Sequence, residues 1–412
     1  MVEPALHSAA VVGAGTMGAG IAMTFADAGV VTHLLDASPE ALGRAGTSIA
    51  QTYDSAVERG RLGRDTANER LARIRPTSDY GDLSDADVVV EAVFEDLALK
   101  REIFGRLGTL CRPGAILATN TSTLDVDAIA RAAAHPERCV GLHFFSPAHI
   151  MKVLEVVRCT ETSAATLAAA LEVCRRLGKI PVVVGNSDGF VGNRMLLCYR
   201  REAEYLLLAG ASPQRVDAAL KRFGFAMGVF AVSDLAGIDV GWRSKQERIK
   251  RSAAPPFSLT NLPDALVAAG RLGQKTGRGY YRYDAGSRTP QPDPEIEPLV
   301  LTERERLGVA IEHASDDEIV ERCVCALIME GANVLQEGVA SSAADIDTVW
   351  VNGYGFPKAR GGPMRYAQDV GIANVLMSIH AFASRDPAFW RIAPLLVEAA
   401  RSGQFHANGR AS

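Results

Sequence analysis

Short apolar runs bounded by turn residues recur through the first half of the chain. Residues 9–12, 31–36, 88–90, 116–119 and 140–144 each read as a buried strand, with helix-patterned sequence in several of the gaps. That alternation predicts βαβ units and a parallel sheet, which residues 153–157 and 182–184 extend. Ser38-Pro39 offers an N-cap and a proline at the first helical position of one intervening helix.

After Gly185 the helical period takes over. Ser212-Pro213 opens a further helix, a Pro-rich and turn-rich stretch from Asp284 to Pro298 reads as a linker, and Ser315-Asp316-Asp317-Glu318 reads as a capping box. The sequence then repeats itself. Arg194, Glu202, Leu206, Leu207 and Gly210 recur as Arg322, Glu330, Val334, Leu335 and Gly338 at the same offsets. Further on, Asp217 matches Asp347 and Phe225 matches Phe356. The shared order of helix, Asp-containing turn and Gly-Phe segment favours duplication of one helical module over chance likeness. The expected organisation is an α/β Rossmann-type domain over 1–185, a first helical module over 186–284, a linker over 285–314 and a second, homologous module over 315–412. The C-terminal region is thus all-α and built of two tandem modules.

With 412 residues the chain is too long for one ordinary core, and 48% hydrophobic with 22% charged residues is normal for a soluble globular protein. A net charge of −4 argues against nucleic acid as the main partner. No apolar run reaches membrane-spanning length, so no membrane partner is expected. Seven cysteines without a CxxC pair, and eight histidines without HxxxH spacing, predict neither disulfides nor a metal site. A reducing compartment, the cytoplasm, fits. The first ten residues do not read as a signal peptide, and Gly409-Arg410-Ala411-Ser412 does not read as a peroxisomal address.

Gly13-Ala14-Gly15-Thr16-Met17-Gly18 follows a strand and opens a helix, the context in which GxGxxG binds a dinucleotide pyrophosphate. Asp36 ends the next strand, 18 residues after Gly18. A carboxylate there can accept from the adenosine ribose and repels a 2′-phosphate, so NAD is the expected cofactor. The other reading of Asp36 is a helix cap. His143 and Glu155, 12 residues apart on neighbouring elements, can form a base and its orienter.

The segments GLHFFSPAHIMKVLEVV (141–157), NTST (120–123), DGFVGNRML (188–196), FGFAMGVFAVSDLAGIDVG (223–241) and GQKTGRGYY (273–281) resemble the motifs of the 3-hydroxyacyl-CoA dehydrogenase family. The resemblance covers nearly the whole chain. It is closest to the dehydrogenase part of multifunctional β-oxidation enzymes of the peroxisomal bifunctional type.

The resemblance implies NAD-dependent oxidation of (S)-3-hydroxyacyl-CoA to 3-ketoacyl-CoA. His143 is then the general base and Glu155 its partner, with Ser122 and Asn193 donors to the substrate oxygens. Glu95, Lys100, Ser146 and Lys275 line the cofactor. Plainer readings stay open: Ser122 as the cap of a helix near Leu124, Asn193 as a loop ligand, Glu95 and Lys100 as a solvated pair. The arginines from Arg59 to Arg75 are either CoA-facing or a solvated helix face. Glu321 stands in the second module where the first has Asn193, so that copy is expected to be catalytically silent. Single-module relatives dimerise through this domain, so a monomer with an internal pseudo-dimer is expected. The first strand begins by about Ala9, so no hydratase half is expected, and a separate hydratase or thiolase is a partner the chemistry admits. A gulonate dehydrogenase and a redox-inert NAD-binding subunit are the rival readings.

Overall fold

The computed structural model describes residues 6–250 and 260–406; the N-terminal residues 1–5 and the terminal Gly409–Ser412 discussed above lie outside them. Two compact units result. One runs to Phe190 and takes in Val339–Ser341; the other holds Val191–Gly338 and the chain from Ser342 onward.

The first unit is an eight-stranded sheet: β1 (Ser8–Val12), β2 (Val31–Leu35), β3 (Ile74–Thr77), β4 (Val88–Glu91), β5 (Ile116–Thr119), β6 (Cys139–Phe144), β7 (Val153–Arg158) and β8 (Ile180–Gly185), in the order β3-β2-β1-β4-β5-β6-β7-β8. The strands from β3 across to β6 pair in parallel, β7 pairs antiparallel to β6, and β8 runs with β7. Chain order reverses between β1 and β4, the switch point beyond which open α/β sheets bind ligands. β1, β4, β5 and β6 are almost wholly buried, which explains their near-continuous apolar runs. Ser38 caps the helix Pro39–Glu58 by accepting from Ala41 N at 3.1 Å, as its sequence implies.

Two features depart from the expectation. β3 was not visible in the sequence: it is an edge strand of four residues, half of them exposed, and Pro76 interrupts its pattern. Proline is tolerated on an edge because no outer neighbour needs its missing N–H. Residues 339–341 also join this unit, Gly185 N donating to Val339 O at 2.8 Å while Ala340 bridges Val184.

The second unit is helical, and its duplication is written in its bonds. Helices Gly192–Leu208 and Asp316–Gln336 pack against each other. Arg194 of the first pairs with Glu330 of the second, while Arg322 Nε of the second donates to Glu202 Oε2 of the first at 3.1 Å. Each arginine reaches the other copy's glutamate, as across a twofold axis. Phe225 meets its own counterpart Phe356 edge to face at 5.4 Å.

The Asp-containing turns match as well. Asp217 accepts from Phe230 N and Ala231 N at 3.0 and 2.9 Å, and Asp347 from Met364 N and Arg365 N at 2.8 and 3.0 Å. Each carboxylate satisfies first-turn N–H groups that a helix leaves unpaired. Burial pushes both carboxyls up against those bonds, Asp347 to about 7.

The stretch expected to be a bare linker, 285–314, contains a helix, Glu297–Leu307. Only Val300 and Glu303 of it are buried. It is fastened by polar contacts instead, Glu303 accepting from Asn261 N and pairing with Arg306, and Arg304 donating to Leu208 O. An apolar stripe was therefore not there to be read.

Candidate active site

The strand topology gathers the polar motifs along one edge. Gly13, Asp36, Glu95 and Ser122 follow the carboxyl ends of β1, β2, β4 and β5, and His143 is the penultimate residue of β6. Because β7 is reversed, Glu155 near its start returns to that same edge.

At the glycine-rich loop, Gly13 has φ +105°, and an added Cβ would sit 2.8 Å from Ala92 O. A Cβ on Gly18 would strike Gly13 O at 1.7 Å, so only glycine lets the helix Thr16–Asp27 pack this closely. On its outer side the loop is open: a Cβ on Gly15 would meet nothing within 4 Å, and Gly15 and Thr16 are exposed with Met17 half-buried. No side chain caps this helix and its first turn holds no acid. Its positive end and free N–H groups are left for an anion, which fits a dinucleotide pyrophosphate. Asp36 lies against the loop, Oδ2 accepting from Ala14 N at 2.7 Å and Oδ1 from Ser38 N at 2.9 Å. The helix cap is Ser38, not Asp36.

Beyond β4 and β5 a buried carboxylate relay shapes the Ser122 loop. Glu91, fully buried, accepts from Thr119 Oγ1, Val93 N and Lys100 Nζ, each at 2.7 Å. Lys100 is 1% exposed and lies 3.6 Å from Glu95 Oε2. Glu95 Oε1 in turn accepts from Thr121 Oγ1 at 2.6 Å, Ser122 N at 2.8 Å, Thr123 N at 3.1 Å and Ser122 Oγ at 3.2 Å. Burial opposes charge on Glu95, but the Lys100 ammonium and the bonds from Thr121, Ser122 and Thr123 hold its carboxyl below the usual range. Glu95 and Lys100 are therefore no solvated pair, and Lys100 acts through the two glutamates rather than from an open surface. Nor does Ser122 cap a helix. The next helix starts at Val126 with Asp125 as cap, and Leu124 N goes to Thr121 Oγ1.

His143 and Glu155 are paired residues of the antiparallel β6–β7 ladder, which places their side chains opposite each other on one face. His143 Nδ1 lies 2.7 Å from Glu155 Oε2, with Glu155 fully buried and His143 7% exposed. The carboxylate fixes Nδ1 as the protonated nitrogen and leaves Nε2, which has no hydrogen-bond partner among the described residues, to take a proton. The rings of Phe145 and Phe190 stand 4.9 and 5.6 Å from the imidazole and screen it from water. Phe190 holds φ +50°, an unusual conformation for a bulky residue. Ser146 is exposed in the β6–β7 connection.

In the second unit, Asn193 Oδ1 accepts from Tyr354 Oη at 2.8 Å, and Lys275 pairs with Asp239. Of the arginines after β2, Arg64 pairs with Asp54, Arg70 with Asp27 and Arg73 with Glu69, which favours the solvated helix face. All seven cysteines are buried free thiols. Among the described residues no three of His, Cys, Asp and Glu converge as metal ligands do.

Residues 8–187 match the 3-hydroxyacyl-CoA dehydrogenase NAD-binding domain, and the C-terminal domain of the same family matches twice, over 189–283 and 319–411. The chain belongs to the 3-hydroxyacyl-CoA dehydrogenase family. It is 44% identical over 390 residues to the peroxisomal bifunctional enzyme of Danio rerio, covering 90% of this chain and 52% of that protein. With the Homo sapiens enzyme it shares 40% over 400 residues, 94% of this chain and 55% of that one. The chain thus spans about half the length of the curated relatives it matches. Among solved structures, 3-hydroxybutyryl-CoA dehydrogenase of Escherichia coli superposes with TM-score 0.84 at 29% identity, covering 97% of this chain and 99% of the other. The dehydrogenase part of multifunctional enzyme 1 of Caenorhabditis elegans gives 0.70 at 30%, covering 96% and 89%.

Within this 3-hydroxyacyl-CoA dehydrogenase fold, three side chains went unread in the sequence. Glu91 anchors the relay; its signal was an acid closing the apolar run Val88-Val89-Val90. Asn120 Oδ1 accepts from Phe144 N at 2.9 Å and so ties the Ser122 loop to the strand carrying His143. Lys179, 7% exposed, donates to Ala148 O and Met151 O at 2.5 and 2.7 Å and holds the β6–β7 connection. Burial brings its ammonium down to about 8.

Proposed function

We propose that the chain catalyses reversible, NAD-dependent oxidation of (S)-3-hydroxyacyl-CoA to 3-ketoacyl-CoA. The observation that carries this reading is the buried His143–Glu155 pair, its outer imidazole nitrogen left open, on the sheet edge that also carries the glycine-rich loop. Gly13, Gly15 and Gly18, with the N–H groups opening the helix Thr16–Asp27, would hold the pyrophosphate, and Asp36 the adenosine ribose. Bound NAD would supply the acceptor for the hydride from C3.

His143 Nε2 takes the proton of the 3-hydroxyl as the carbonyl forms. Glu155 keeps the ring oriented and stabilises the imidazolium, whose charge would otherwise be costly in a buried setting. In the direction of reduction the same nitrogen returns the proton. The Ser122 hydroxyl donates to Glu95, and it would serve substrate oxygen as a donor once that bond is exchanged. Asn193 serves as a donor to substrate oxygen, the role its family motif implies. The full-length likeness to a 3-hydroxybutyryl-CoA dehydrogenase supports a CoA thioester as substrate.

The purified chain should consume NADH with acetoacetyl-CoA, but not NADPH, and a series of longer 3-ketoacyl-CoA substrates then reads chain-length preference. NAD binding without turnover on any of them would leave a redox-inert subunit as the better reading.

The crossed ion pairs and the Phe225–Phe356 contact supply within one chain the kind of interface that two subunits otherwise make, which supports a monomer. Light scattering is expected to give the mass of a single chain; a stable dimer would remove that part of the proposal.

A further inference from the structure

Asn193 and its counterpart Glu321 occupy equivalent positions near the starts of the paired helices, yet their surroundings differ. Tyr354, which belongs to the second module, donates its phenol to Asn193 Oδ1 at 2.8 Å. The ring is held flat against Trp350, centroids 4.7 Å apart at 24°. The ring also lies close to Gly192: a Cβ there would sit 2.4 Å from it. A glycine next to Asn193 is thus what admits the tyrosine.

The other half of the duplication acts as an internal control. Phe223-Gly224-Phe225 matches Tyr354-Gly355-Phe356, so Phe223 stands where the second module has Tyr354. Val320-Glu321 stands where the first helix has Gly192-Asn193. Glu321 accepts from Ser378 Oγ at 2.5 Å instead, and Phe223, Val320 and Glu321 line an open cavity of about 530 Å³. Glycine, amide and phenol occur together on one side. On the other side all three are replaced together.

We infer that Tyr354 of the second module is a positioning residue for Asn193. A phenol donating to Oδ1 decides which end of the amide is left over, and that end is the Nδ2–H₂ pair. Among the described residues the tyrosine is the only side-chain partner of Asn193, so the amide donors stay directed away from it. The module that carries no dinucleotide loop is then silent only in lacking a site of its own, because it sets the donor used by the other. This inference rests on the functional reading above, in which Asn193 donates to substrate oxygen.

The test is Tyr354→Phe, which removes one oxygen and keeps the stacked ring. In acetoacetyl-CoA reduction kcat should fall about tenfold, the effect of losing one hydrogen bond that orients a donor, while NADH affinity and Tm stay at wild-type values. In an Asn193→Ala background the same substitution should change nothing further, because the group it acts through is gone. Phe223→Tyr, at the equivalent position, should leave turnover unchanged. Wild-type kcat in Tyr354→Phe overturns the inference. So does a loss that repeats in full on Asn193→Ala, or one that tracks a fall in Tm, since either marks a merely structural role. A wild-type chain inert on every 3-ketoacyl-CoA would sink the functional reading and this inference with it; an active wild type with an equally active Tyr354→Phe sinks the inference alone.

Discussion

His143→Gln is expected to lower kcat by about 10²–10⁴-fold, the range a positioned acid–base group contributes, without changing NAD affinity. Glutamine is close to the imidazole in length and can still donate to Glu155, so the fully buried carboxylate keeps a partner and β6 keeps its pairing with β7. What glutamine lacks is a nitrogen that can hold a proton between two steps. NAD affinity is set elsewhere, at the loop after β1 and at Asp36 after β2. The decisive comparison is stopped-flow turnover of acetoacetyl-CoA beside fluorescence titration with NADH. Turnover at the wild-type level would remove His143 from the chemistry. Loss of NADH binding in parallel would mean that the substitution had disturbed the fold instead.

The second large effect is on stability. Glu202→Ala should destabilise the protein by about 3–5 kcal/mol, the usual cost of breaking a buried ion pair from one side. Glu202 is fully buried; burial pushes its carboxyl up, and Arg322 and Arg201 work against that. Without it, Arg322, 3% exposed between the rings of Tyr205 and Phe382, keeps its charge and loses its anion. Glu202→Ala combined with Arg322→Met should recover much of the loss, because no unpaired charge remains. By contrast, breaking the exposed Arg365–Asp369 pair should cost no more than about 0.5 kcal/mol. Urea unfolding of the variants measures all three. A Glu202→Ala midpoint equal to wild type would show that the crossed pairs do not hold the two helices together.

Where sequence and structure agree, a local rule was sufficient. Gly13 to Gly18 act over six neighbouring positions, and the caps at Ser38, Ser212 and Ser315 each reach three residues ahead, to Ala41, Arg215 and Glu318. The duplication was legible for a related reason: equal offsets survive even when the contacts that require them are distant. The family motif marked His143 and Glu155, but not that a reversed strand brings them into register.

What stayed hidden depended on partners far along the chain. Lys100 read as lining the cofactor, or else as half of a solvated pair, because nothing nearby in sequence reveals that Glu91 and Glu95 converge on it. β3 is too short and too polar to carry a period, and it exists because β2 offers it an edge. Tyr354 lies 161 positions from the amide it touches, within a segment whose own pattern speaks only of a turn.

The unlike pair formed by Tyr354 and Phe223 has a consequence for how such a molecule can change over generations. Two separate subunits made from one gene must carry the same residue on both sides of their axis, so any gain on one flank is imposed on the other. Once the halves are covalently joined, each flank mutates alone. One half can then specialise as a support while its twin keeps the reaction.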